Sequence, residues 1–232
     1  MLLVSYKVRP NLAPMVRLGF VRNWPPAGGG PGSALINPVV GATYLVELSD
    51  SLRLSAFLGL TVPVGMGGGN TPDAAVAAAA KAGVLARSAM DNAMFAVNDF
   101  TVFPGVDLAY VSGGWTVQAE ATLLQLTRVR GEAAQPDISK TNFTAGLHLG
   151  RFVGSMFSLG AELRYQRWLK PPASVTTRAP LDNVTFAAGP RLHFKVDKSI
   201  WVRPGLSYAR GLDDPMSKQS YDIVQLDVPV SF

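Results

Sequence analysis

A chain of 232 residues with 48% hydrophobic and 16% charged residues has enough apolar material for one folded domain and too little charge for a disordered one. Its net charge of +5 is moderate, and the 21 Lys and Arg residues are spread singly along the chain, which argues against nucleic acid as a partner. The lack of cysteine excludes a disulfide scaffold and a thiol nucleophile, and says little about compartment.

In chain order, the first element is a strand over 2–9, with Leu2, Val4, Tyr6 and Val8 on one face and Lys7 and Arg9 on the other. These residues alternate where a secretory leader would have a charged start, an apolar stretch and a small-residue cleavage site, so no export signal is read in them. After a turn at Pro10-Asn11-Leu12-Ala13-Pro14 come segments at 12–24, 35–48 and 52–64. In the last of these, Leu52, Leu54, Ala56, Leu58, Leu60, Val62 and Val64 oppose a small or polar set broken only by Phe57.

The stretch 71–92 is helical in pattern. Thr71 or Asp73 is available as an N-cap, and an alanine-rich run extends from Ala74 to Arg87. Lys81 and Arg87 make it a poor membrane span. Two readings stay open: a solvent-exposed helix in a long loop, or a lid or constriction over a barrel mouth hinged at Gly65-Met66-Gly67-Gly68-Gly69. That glycine run lacks the Lys-Ser/Thr of a phosphate loop, so nucleotide binding is not expected.

Further alternating segments follow at 94–111, 115–129, 141–152, 156–169, 184–196, 200–210 and 220–232. The last ends with Val224, Leu226, Val228, Val230 and Phe232 facing one way. That makes eleven candidate strands, mostly of about 9–14 residues, a length suited to a tilted crossing of a hydrocarbon core. Short turns at 48–51, 112–114, 153–155 and 197–199 alternate with long loops at 25–33, 65–93, 131–140, 170–181 and 211–220. Trp24, Tyr44, Tyr110, Trp115, Tyr165, Trp168, Trp201, Tyr208 and Tyr221 lie near strand ends, as aromatic girdles would. The pattern predicts an all-β fold, a transmembrane antiparallel up-and-down β-barrel of 10–12 strands with a short helix in one long extracellular loop. A soluble lipocalin-like barrel also alternates, but with about eight strands and its apolar face inside.

The alternating strands, the short turns opposite long loops and the terminal Phe232 resemble the Gram-negative outer-membrane β-barrel proteins, across essentially the whole chain and without a motif selecting one family. The resemblance implies the bacterial outer membrane, a lipid surround, and Phe232 as part of the signal read by the barrel-assembly machinery. The alternative for Phe232 is a place in the interface belt. Such single-chain barrels normally have even strand counts. The expectation is therefore one barrel domain over 1–232 that lacks its signal peptide and first strand, twelve strands in all; the other repair is ten strands with residues 1–11 in the periplasm.

Parity assigns Arg53, Glu120, Glu162, Arg164, Arg191, His193, Lys195 and Arg203 to the lumen, where a basic wall with Glu162 as counter-ion would form on the strands around 156–210. Charges of this kind cannot face lipid. The wall predicts a narrow channel or transporter-like porin for small polar or anionic solutes. The alternative is a closed structural or surface-interaction barrel in which the charges pair and fill the interior. No enzyme is expected: His148 and His193 lack the serine two residues later that outer-membrane lipases and deacylases share. No metal-binding spacing occurs and no cofactor is expected.

Overall fold

The computed structural model describes residues 1–25, 30–81, 89–177, 181–214, 216–218 and 222–232. The part of the expected helix from Ala82 to Arg87, and Tyr221, lie outside the described residues. The chain runs β1 (Leu2–Ser5), β2 (Leu12–Leu18), β3 (Phe20–Asn23), β4 (Gly32–Leu35), β5 (Val39–Glu47) and β6 (Leu52–Thr61). Two helices follow, α1 (Ala74–Lys81) and α2 (Ala89–Phe95), and then four long strands: β7 (Asp99–Ser112), β8 (Trp115–Arg128), β9 (Ser139–Phe152) and β10 (Phe157–Lys170). The chain closes with β11 (Asp182–Leu192), β12 (Phe194–Lys195), β13 (Trp201–Val202), β14 (Gly205–Gly211), β15 (Asp222–Asp227) and β16 (Val230–Ser231).

Eleven of these strands form one antiparallel sheet in the order β1-β2-β5-β6-β7-β8-β9-β10-β11-β14-β15. Because neighbours alternate in direction, the two edges, β1 and β15, run the same way. The small sheets extend the large one. β3 and β4 form a hairpin beyond β2 and β5. β12, β13 and β16 continue β11, β14 and β15 past Pro204 and Pro229, whose missing N–H groups interrupt the ladder.

Local chemistry fixes the register. Ser112 pairs with Trp115 across Gly113 and Gly114, both at positive φ (56° and 78°), which is the two-residue turn matching the twist of a hairpin. Gly189 lies so close to β14 that an added Cβ would stand 2.0 Å from the Leu206 carbonyl oxygen. Gly189→Ala is expected to push β11 off β14 and to cost about 1–3 kcal/mol, as overpacking does; an unchanged urea unfolding midpoint in detergent micelles would show that the backbone yields freely there.

The outward face is apolar and uncovered. Leu58, Leu108, Leu147, Leu159, Leu206 and Leu226 are 43–73% exposed, which no water-facing sheet of this size sustains and a lipid-facing one requires. The buried apolar core lies on the opposite side, inside the curved sheet. It joins Ile36, Val39, Phe103, Leu124 and Leu126 to Ala93, Met94 and Phe95 of α2.

Candidate pore and its plug

Of the segment between β6 and β7, α1 packs against the β3–β4 hairpin and α2 against the inward residues of β5 to β8. Asp73 caps α1, its Oδ1 accepting the amides of Ala75 and Val76 at 3.0 Å each. α1 buries Ala79 and Ala80 and leaves Ala74, Ala78 and Lys81 exposed, and helix is described at 74–81 and 89–95 where the sequence pattern indicated 71–92. Ala93, Met94 and Phe95 of α2 are 0–3% exposed and plug the lumen at its loop end. Phe57, which interrupted the polar face of its strand, packs on this plug and tilts against Phe103 at 5.5 Å between ring centroids. Trp168 also packs inward on the cluster, so it is not a girdle residue.

A buried asparagine helps to anchor the plug. Asn37, fully buried, donates from Nδ2 to Ala96 O at 2.9 Å and accepts from the Gly65 amide at 2.9 Å, while its own amide donates to Met94 O at 2.9 Å. The guanidinium of Arg130 donates to the carbonyls of Gly65 and Val97, and the Gly69 amide donates to Asn98 Oδ1 at 2.8 Å. The glycine run expected to act as a hinge is therefore pinned at both ends. Beneath it, Lys140 Nζ meets Asp99 Oδ2 at 2.6 Å in an ion pair that is nearly inaccessible to water, and Gln135 Nε2 donates to the other carboxylate oxygen at 2.7 Å.

Below the plug, one cavity of about 490 Å³ is lined by Arg17 of β2 together with residues of β10, β11, β14 and β15, so the sheet curls until its two ends share an interior. Arg164 stands between two carboxylates, Glu120 at 2.8 Å and Glu162, which accepts from its Nε at 2.7 Å. Glu120, Gly146 and Arg164 occupy one register row across β8, β9 and β10. The acid and the base reach each other over the missing side chain of the middle residue, where an added Cβ would stand 2.9 Å from Glu120. The same device recurs on β11, β14 and β15: Arg191 and Asp227 meet at 2.7 Å over Gly205.

The other sequence candidates lie elsewhere. His193 Nε2 is 2.8 Å from Ser158 Oγ and its ring rests 4.7 Å from Phe152; among the described residues no carboxylate meets its second nitrogen. Lys195 and Arg203 both lie over the Trp201 ring, at 5.8 and 5.7 Å, outside the cavity lining. Arg53 sits opposite Glu47 beside the turn at 48–51, on the far part of the sheet. A continuous basic wall does not form: its two central arginines are each neutralised. Sequence reasoning missed the pairing of Asp227 with Arg191, which lies two strands away, and the part of Gly146 and Gly205, which sit on the strand between each pair.

No family model matches the chain, and no curated protein does. Among solved structures, the chain is similar to the KdgM porin, with a TM-score of 0.53 at 11% identity over 99% of this chain and 88% of that one. The fold is porin-like. A Pseudomonas aeruginosa FadL homologue is also similar, at a TM-score of 0.43 and 12% identity over 99% of this chain but 64% of that one. Within the porin-like fold, the exposed leucine stripe lies on the outer face of the sheet and the Arg-Gly-acid rows on its inner face.

Proposed function

We propose that the protein is a bacterial outer-membrane channel or transporter-like porin for small polar solutes, with a weak preference for anionic ones. The observation that carries this is the cavity below the plug, lined by the side chains of Arg17, Arg164 and Arg191 against those of Glu162 and Asp227. Lys195 and Arg203 add positive charge beyond it. Such a surface wets readily and holds anions slightly longer than cations. The wall is completed in this reading by one further strand running opposite to both β1 and β15, the smallest addition that gives each edge an antiparallel partner. Phe232, 90% exposed at the end of the chain, is available to the assembly machinery.

Single-channel recording in planar bilayers tests the channel. Discrete openings with mild anion selectivity are expected. Arg164→Gln leaves Glu120 and Glu162 facing one another without their cation, so selectivity should move toward cations; Glu120→Gln should move it the other way. A folded barrel that passes no current would favour the second reading, a closed structural barrel, for which the buried plug residues Met94 and Phe95 are the supporting observation.

A further inference from the structure

A second cavity, of about 720 Å³, lies at the loop end between α2 and the inward faces of β8 to β11. Its chemistry differs from that of the lower lumen. Phe95, Leu124, Leu126 and Trp168 give it an apolar wall. Among the described residues, its charged lining is Lys81 and Lys140 against Asp99 and Asp137, a formal sum of zero, and Lys140 is already neutralised by Asp99.

Two buried amides on this lining are left incomplete. Asn142, 1% exposed, accepts from Thr144 Oγ1 at 3.5 Å through Oδ1, while its Nδ2 has no partner among the described residues. Asn92, 8% exposed, donates from Nδ2 to Gln166 Oε1 at 2.6 Å, and its Oδ1 has no partner among them either. Turning either amide over exchanges which end is unmatched and does not remove the deficit. An unsatisfied buried polar group is a standing cost to the fold, and leucine at position 142 would avoid it.

We infer that this cavity is a binding site for an uncharged solute that carries hydroxyl groups on an apolar body, seated against Trp168 and Phe95 with its hydroxyls completing Asn92 and Asn142. A hydroxyl both donates and accepts, so one kind of group serves the open Nδ2 and the open Oδ1 alike. The zero charge sum disfavours an anion here, in contrast to the lower lumen. The site rests on these amides and not on conduction, and would stand in a barrel that passes no current.

Isothermal titration of the full chain in detergent micelles tests it with three probes of graded chemistry: maltose, the charged disaccharide lactobionate, and laurate. Saturable binding of maltose in preference to both others is expected. Asn142→Leu should weaken it about tenfold, the loss of one or two hydrogen bonds, while leaving the heat resistance of the folded barrel equal or higher. Trp168→Leu should weaken it as well, and Arg164→Gln should not. Absence of saturable maltose binding, preference for lactobionate or laurate, or maltose binding indifferent to Asn142→Leu and Trp168→Leu would each overturn the assignment. Lower heat resistance in Asn142→Leu would overturn it too, by showing that the amide serves the fold.

Discussion

Replacing Lys140 with methionine is expected to lower the stability of the folded barrel by about 3–5 kcal/mol, the penalty for breaking a buried ion pair from one side. Both partners are buried, with Asp99 at 0% and Lys140 at 5% exposure, so the single variant strands a buried carboxylate without its cation. Gln135 supplies one hydrogen bond to Asp99 and no charge. The double variant Lys140→Met, Asp99→Leu should recover most of the loss, because it removes the ionic desolvation along with the attraction. Urea titration of barrels folded in micelles reads both effects. Equal midpoints for the wild type and the single variant would mean that water reaches the pair.

Excising the plug should have the largest effect on transport. Joining Val64 to Asn98 by a short Gly-Ser hairpin removes α1 and α2, including Ala93, Met94 and Phe95, which fill the lumen between Ile36, Phe103 and Leu124. Unit conductance should rise several-fold, since flow is limited by the narrowest section. Asn37→Ala is the milder version: it deletes the side-chain bonds to Ala96 and Gly65, and brief openings to the enlarged level should appear within the wild-type record. If excision leaves conductance unchanged, α2 lies outside the ion path and the constriction is in the lower lumen.

The alternation of apolar and polar residues made the strands legible because lipid on one side and solvent on the other sort side chains strictly by parity. It predicted eleven segments, and the large sheet has eleven strands. The same sorting failed where the interior is dry. Phe57, Phe103 and Trp168 face inward onto the plug, so Phe57, the break in the polar set of its strand, marked a packed lumen, and Trp168, which read as a girdle residue, lies inside. Asn37 gave no signal, because one asparagine in a loop looks like any other until the carbonyls of Ala96 and Met94 are placed around it. The ion pairs were hidden for another reason. Arg164 and Glu120 lie far apart in sequence on strands that are not neighbours, and the residue permitting their contact is a glycine.

The two charged rows also tie together strands that share no backbone hydrogen bonds. Strands two apart stand about 9.6 Å from one another across a flat sheet, a gap that the long arginine side chains span. Glu120 and Arg164 close to 2.8 Å, and Arg191 and Asp227 to 2.7 Å, through the space left by the missing side chains of Gly146 and Gly205. Each bridge thus clamps three strands, and any widening that draws the outer two apart must work against it.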